Sequence, residues 1–505
     1  MDVDKTSFYP LALEMLTDIS EALFVSFDLE LSGVPSKQAR PGKRPGKATL
    51  QERYLETKAA AERYQILQFG LTCVEQNMDK GIYILKPYNI VLSPLIDEER
   101  LDVERDFTFQ SAASNFLLRQ GFDVSEPFYS GAPYLSRDEE QEAWAKHERR
   151  QDRNNIADIV VKPTDTESLA FMERVRREIR AWLESKHSDT PDFVNIDVIT
   201  DAAEPSEKRR ELSRLEKRLV HQVVRADFKD LVSIGKNGFV QVIRFDRDRE
   251  DRASKERRRE TRDKINQQIG FRWIIEALLG SDISNFSYRL CDRHPHTGAV
   301  LNGRMENDRH QLLRAQGKIL DNPSRLVGHN CFLDLVYIYK TFLGDRPETV
   351  EEFQRTIHGL WPTIIDTKYM STHNCGDISP VSSLEQISEQ LRGQKMPIIK
   401  LDEQHPKYKK REAYHEAGFD SYLTAEIAIR LSAKLERQTS VAEEQAKVMG
   451  STISVHREDG PAATMSSLKD LALGDNTTDT CSDSESVEDT AGNSADHARE
   501  ARPKL

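Results

Sequence analysis

Residues 24–33 read FVSFDLELSG, and Asp28 and Glu30 stand two apart inside an otherwise apolar, β-prone run. Successive strand side chains point to opposite faces, so the two carboxylates project together while Phe27 and Leu29 go the other way. In a partly desolvated setting two like charges raise one pKa strongly unless a cation lies between them. That makes the pair a candidate divalent-metal site. The competing reading is an edge strand with a wetted polar face. Two later stretches offer groups of the same kind. VGHNCFLDLVYI, residues 327–338, sets Asp334 among Phe332, Leu333, Leu335 and Val336, where an acid needs a partner. HEAGFDSYLTAEIAIRL, residues 415–431, sets His415 five positions before Asp420. Gly418, between them, is expected to free His415 from the helix that follows, with Asp420 fixed in its first turn. Four hard oxygen ligands and one histidine match two-metal phosphodiester cleavage. There one ion lowers the pKa of a bound water and the other stabilises the leaving 3′ oxygen, with Mg2+ the preferred metal. The imidazole of His415 has the pKa range of a general base near neutral pH.

These groups must be positioned by an α/β frame. Ser26 to Ser32 reads as a strand, and LQFGLTCVE (67–75) and YILKPYNIVLS (83–93) as two more joined by a polar turn. SAASNFLLRQGFD (111–123) is a helix with a glycine stop, and residues 137–158 form a linking helix or loop. In residues 169–184, Phe171, Val175, Ile179 and Leu183 recur as the stripe of an amphipathic helix. NIDVIT (195–200) then reads as a strand, residues 207–228 as a helix and GFVQVIRFD (238–246) as a last strand. Together these make an α/β insert of about 75 residues. The charge-mixed run 246–264 is a solvated helical connector, with RNA contact the alternative. Alternation of helices and strands resumes from Gly270. The domain plan is thus 1–165, an insert at 166–246, a connector at 247–264, a second part at 265–437, and an acidic tail at 438–505 expected to be disordered.

Composition constrains the partners. The 505 residues are 38% hydrophobic and 31% charged, with mean hydropathy −0.63. No stretch reaches the roughly 20 consecutive apolar residues of a membrane helix, so no membrane partner is expected. An intracellular location, cytoplasmic or nuclear, follows as an expectation. Cys73, Cys291, Cys331, Cys375 and Cys481 are scattered, without a CxxC pair, as reduced thiols are. The net charge of −12 argues against binding nucleic acid by bulk positive charge, but residues 436–505 hold 14 acidic and 7 basic side chains. Any basic groove must therefore be local.

The order D-x-E, then GHN-x-x-x-D, then H-x-x-x-x-D resembles the DEDDh group of 3′→5′ exonucleases, which share a ribonuclease-H-like fold. RYQILQFGL (63–71), QSAASNFLLRQGFD (110–123), FYSGAPYL (128–135), LVGHN (326–330), IIDTKYM (364–370) and HEAGFD (415–420) narrow this to the poly(A)-specific ribonuclease branch of the deadenylases. The resemblance implies a ribonuclease-H-like mixed sheet flanked by helices, with a small single-stranded nucleic-acid-binding module inserted. It implies two Mg2+ ions, with Mn2+ a substitute, held by Asp28, Glu30, Asp334 and Asp420, and His415 as base. Leu31, Ser32 and Gly33 would border the terminal nucleotide, while Asn330 and Lys368 would hold the RNA backbone or base. The substrate would be a single-stranded RNA 3′ end, poly(A) or small RNA, and the protein a homodimer.

In the family's insert an Arg-x-x-x-His signature contacts nucleic acid. Here Lys217 stands in the arginine place and His221 in the histidine place, and lysine lacks the forked donor geometry. A plain structural helix explains both residues nearly as well. The RNA-recognition fold of cap-stimulated members is not expected after Arg437, because Trp144, Trp182, Trp273 and Trp361 all come earlier. The architecture is therefore similar to small-RNA trimmers. A catalytically weak RNA-binding scaffold and a DNA exonuclease of the same group remain alternative readings. His294 and His296 are read as surface loop residues, and KRR (208–210) as an import signal or a solvated helix face.

Overall fold

The computed structural model describes residues 1–35, 48–96, 101–151, 158–185, 191–198, 211–292, 297, 299–300, 305–373 and 378–448. His294, His296, residues 208–210 and most of the acidic tail lie outside them. The main sheet holds β1 (Asp2–Val3), β2 (Phe24–Leu31), β3 (Ile66–Asn77), β4 (Ile82–Val91), β8 (Leu326–Gly328), β9 (Ile364–Asp366) and β10 (Ile398–Leu401). Its order is β1-β4-β3-β2-β8-β9, with β10 also on β4. β2, β3 and β4 form an antiparallel meander, whereas β8 runs parallel to β2 and β9 parallel to β8. This is the mixed sheet expected from the sequence.

Strand alternation sorts the two faces. Phe27, Leu29, Phe69, Leu71 and Cys73 enter the large core, together with Phe8, Leu13 and Leu16 of the first helix (Phe8–Glu21). The intervening residues face the last helix, Ala417–Val448. Ser26 Oγ donates to the Ser421 carbonyl at 2.7 Å, Thr72 Oγ1 meets Ser421 Oγ at 2.9 Å, and Val74 packs with Ala425 and Ile429. Helix starts leave backbone N–H groups without partners. Here the sheet supplies two: the Ala417 N–H donates to Gln68 Oε1 at 2.9 Å, and the Gly418 N–H to Asn89 Oδ1 at 3.1 Å. Gly70 lies opposite Asp28 in the β2–β3 register, and a Cβ there would sit 1.8 Å from the Ala417 carbonyl oxygen.

The insert carries its own three-stranded sheet, ordered β5 (Phe193–Ile196), β7 (Val240–Arg244), β6 (Leu231–Gly235). Its core draws Val175, Ile179 and Trp182 from one helix, and Leu219, Val220, Val223 and Val224 from another. Several expectations need correction. The buried stripe of helix Thr166–Glu184 runs through Met172, Val175, Ile179 and Trp182, which leaves Phe171 and Leu183 at its margins. The next helix starts at Arg214, not near 207, because Ser213 and Glu216 close a capping box there. β5 ends at Ile196, and β6 was not anticipated; its run LVSIG is short and sits against a helix end. The last helix continues to Val448, eleven residues past the expected end of the fold at Arg437, since ERQTSVAEEQAKV is rich in strong helix formers and has no Gly or Pro.

The close helix contact yields a stability test. Gly70→Ala should destabilise the protein by about 3 kcal/mol, the upper end of overpacking costs, because the obstacle is backbone. Urea unfolding of the two proteins at equal pH measures it, and an unchanged midpoint would contradict this packing.

Candidate metal centre

Asp28 and Glu30 reach the site from the β2 face that the last helix covers, and Asp420 enters from the first turn of that helix. Carboxylate oxygens of Asp28, Glu30 and Asp420 lie within 4.8 Å of one another. Asp334 comes from the first turn of helix Phe332–Ile338, which follows β8. Its charge acts on both Asp28 and Glu30.

Burial, followed by the charges of Asp420, Asp334 and Glu30, pushes Asp28 well above the usual carboxylate range. Glu30 is raised in the same way by burial, then by Asp420 and Asp334. Burial and then Asp366 push Asp334 up to about 7, and burial brings Asp420 to about 7 against the opposing His415 N–H. Two carboxylates at such a separation repel by about 3 kcal/mol at an effective dielectric near 20. The positive end of a helix offsets only about 0.3–1 kcal/mol of this. Protons or a cation must make up the rest, and an all-oxygen donor set suits Mg2+ or Mn2+.

His415 is exposed, with φ +62°, and its N–H donates to Asp420 Oδ2 at 3.1 Å. The ring meets Phe116 edge-on, with centroids 4.9 Å apart. Desolvation by neighbouring groups holds its pKa below the ordinary histidine value, opposed by Glu385, so the imidazole is neutral at pH 7. The role expected of Gly418 is corrected here. It lies inside the helix, where a Cβ would meet Tyr408 Oη at 2.5 Å and Asn89 Cβ at 2.6 Å, so it permits close packing. His415 itself carries the left-handed backbone that turns the chain.

The remaining sequence-predicted residues are placed differently. Leu31 and Ser32 are buried; Ser32 Oγ donates to the Thr108 carbonyl at 2.8 Å and accepts the Gln65 N–H at 2.8 Å. Gly33 backs onto Tyr64, whose ring would lie 2.5 Å from a Cβ, and its carbonyl accepts Tyr337 Oη at 2.9 Å. The segment is thus a fixed wall, with the Ser32 hydroxyl already engaged. Asn330 is exposed at φ +53°, and its side chain makes no hydrogen bond among the described residues. The Lys368 ammonium donates to the Ser382 carbonyl. In the insert, Lys217 Nζ donates to the Lys236 carbonyl at 3.0 Å, and His221 Nδ1 meets Ser233 Oγ at 2.7 Å.

Sequence reasoning missed Asp366. Its carboxylate accepts the N–H groups of Asn330 and Cys331 at 3.0 and 2.9 Å, and those of Lys368 and Tyr369 at 2.9 and 3.2 Å. One side chain therefore ties the GHN turn to the following helix start. An aspartate just before Thr-Lys-Tyr is an N-cap signal that could have pointed to half of this role.

Residues 3–428 match the family model described as CAF1 family ribonuclease. The chain is 23% identical to poly(A)-specific ribonuclease PARN of Xenopus laevis, over 84% of this chain and 61% of that protein. It is 27% identical to an uncharacterised protein of Schizosaccharomyces pombe, over 84% of this chain and 92% of the relative. A pre-piRNA 3′-exonuclease trimmer of Bombyx mori is 23% identical, over 85% of this chain and 71% of the trimmer. Among solved structures, S. pombe Pop2p in its Mg2+- and Mn2+-bound form superposes with a TM-score of 0.37 at 12% identity, over 85% of this chain and 90% of that one.

The raised carboxylates set the sign of a pH effect. Between about pH 4 and about pH 7 the folded protein holds protons on Asp334 and Asp420 that the unfolded chain has released. Stability without metal therefore falls as pH rises through that window. Mg2+ should raise the melting temperature strongly at pH 8 and little at pH 5, as read by scanning calorimetry; an equal shift at both would refute the assignment.

Proposed function

This chain belongs to the CAF1 family of ribonucleases, and we propose that it is a Mg2+-dependent 3′→5′ exoribonuclease. In this reading it shortens poly(A) tails or trims small-RNA 3′ ends and releases 5′ nucleotides. The observation that carries the proposal is the meeting of Asp28, Glu30 and Asp420 oxygens within 4.8 Å, inside the field of Asp334. Asp28, Glu30, Asp334 and Asp420 would hold two ions. When bound, these lower the pKa of a water and stabilise the departing 3′ oxygen.

The protein's own groups do the rest. A ring nitrogen of His415, kept neutral at pH 7, takes the proton of the attacking water; the N–H bond to Asp420 keeps the imidazole beside the carboxylates. The wall of Leu31, Ser32 and Gly33 limits the space for the terminal nucleotide by shape, since its polar groups are internally bonded. Asn330 offers its amide to the RNA backbone or base, and Lys368 its ammonium on leaving the Ser382 carbonyl. A homodimer, and a cytoplasmic or nuclear location, belong to the same proposal.

Asp28→Ala should lower turnover on oligo(A) by at least about 10³-fold with an unchanged circular dichroism spectrum, because a metal ligand supplies several kcal/mol and each ~1.4 kcal/mol is tenfold. His415→Ala should cost about 10²–10⁴-fold while leaving the Mg2+-induced melting shift intact. Timed digestion of labelled oligo(A), oligo(U), a structured small RNA and a DNA oligomer reads both rate and substrate. Wild-type activity in Asp28→Ala would overturn the centre, and preferred cleavage of DNA would overturn the substrate.

A further inference from the structure

A second group of metal-binding side chains lies away from this centre. Glu14 and Asp18 stand one turn apart on the first helix and share a face. His405 follows β10 in a turn where its N–H donates to the Asp402 carbonyl at 3.1 Å. Ligand atoms of Glu14, Asp18 and His405 lie within 4.8 Å of one another.

The state of His405 points to a ligand. The residue is 1% exposed. Its Nδ1 pairs with Asp402 Oδ1 at 3.2 Å, and since a carboxylate only accepts, this nitrogen carries the proton. Nε2 then bears a bare lone pair, and it is buried without a partner. A carboxylate on one imidazole nitrogen with the other left open is how metal-bound histidines are oriented. The Tyr88 ring meets the imidazole edge-on, with centroids 4.7 Å apart.

The polar contacts around these side chains leave acceptor capacity for a cation. Lys86 Nζ donates to Asp18 Oδ1 at 2.8 Å and also to Glu75, and Tyr88 Oη donates to Asp18 Oδ2 at 2.6 Å. Each Asp18 oxygen keeps a second lone pair. Glu14 makes no hydrogen bond or ion pair with another described residue, and burial, then Asp18, raise its pKa. Lys86 bonds directly to Asp18 and Glu75, whereas Glu14 feels Lys86 and the Met1 ammonium only through space, and His405 Nε2 has no partner.

We propose that Glu14, Asp18 and His405 bind a zinc ion, with His405 Nε2 as the nitrogen donor and Asp402 orienting the ring. One imidazole with two carboxylates suits Zn2+, whereas Mg2+ favours an all-oxygen shell. Bonds of about 2.0–2.2 Å need only a modest inward turn of side chains already this close. A water would complete the tetrahedron. The site ties the first helix to the turn after β10, and does not rest on the catalytic reading.

The test uses the full chain carrying Asp28→Asn and Asp420→Asn, so that the other centre does not compete. After chelator treatment it is titrated with Zn2+ against a chromophoric chelator and melted with and without zinc. One zinc per chain and a zinc-dependent rise in melting temperature are expected, with no equal rise from Mg2+. Asp402→Asn should weaken binding roughly 10–100-fold, as loss of an orienting partner does, and Glu14→Gln at least as much. Glu14 has no hydrogen bond to lose among the described residues, so the zinc-free variant should melt near its parent; His405→Gln extends the series. The proposal fails if the parent takes up no stoichiometric zinc, if Mg2+ acts equally, or if Glu14→Gln and His405→Gln bind zinc as the parent does.

Discussion

Repulsion among Asp28, Glu30, Asp334 and Asp420 is the constraint around which the molecule is arranged. Folding has to push these charges together, and a helix docked on a sheet does so. The last helix comes close enough to present Asp420 because it meets Ser26, Gly70 and Thr72 on that face, all small, and because Gln68 and Asn89 satisfy its first N–H groups. A larger side chain at position 70 would hold the fourth carboxylate away. The site is a local conflict that the rest of the packing sustains.

Two strands inserted as parallel neighbours complete the arrangement. β8 runs beside β2 and ends at Gly328, so the chain turns at once into the helix that carries Asp334. Asp366, at the end of β9, gathers four backbone N–H groups from that turn and its own helix. The acid from β2, the acid after β8 and the clamp after β9 are successive steps across one sheet.

What could be read from the residues follows physical range. Asp28 and Glu30 were legible because strand alternation is a property of two neighbouring positions, and the meander was legible because its runs are apolar and turn-bounded. The shared destination of Asp334 and Asp420 needed the resemblance, since nothing within either stretch reports the other. Asp366 was missed because two of its four N–H partners lie 35 and 36 residues away and leave no local pattern, while the other two give only that of a cap. Gly418 was misread for a related reason. A glycine between two functional residues suggests a break, but here its value is the absence of a Cβ against Asn89 and Tyr408, which are distant in the chain.

The insert leaves and rejoins the nuclease frame through two helices, Arg137–Gln151 and Arg247–Ile269. Arg257 donates to Gln151 at 3.0 Å, Thr261 meets His147 at 2.9 Å, and Arg258 lies over Trp144. From the contact of Gln151 with Arg257 to that of His147 with Thr261 the numbers fall on one helix as they rise on the other, so the pair is antiparallel, with the end of the first helix beside Arg257. A turn joining Gln151 to the stretch just before Arg257 would restore a continuous hairpin. The module can thus be gained, exchanged or discarded as a cassette during descent without breaking a strand of the main sheet.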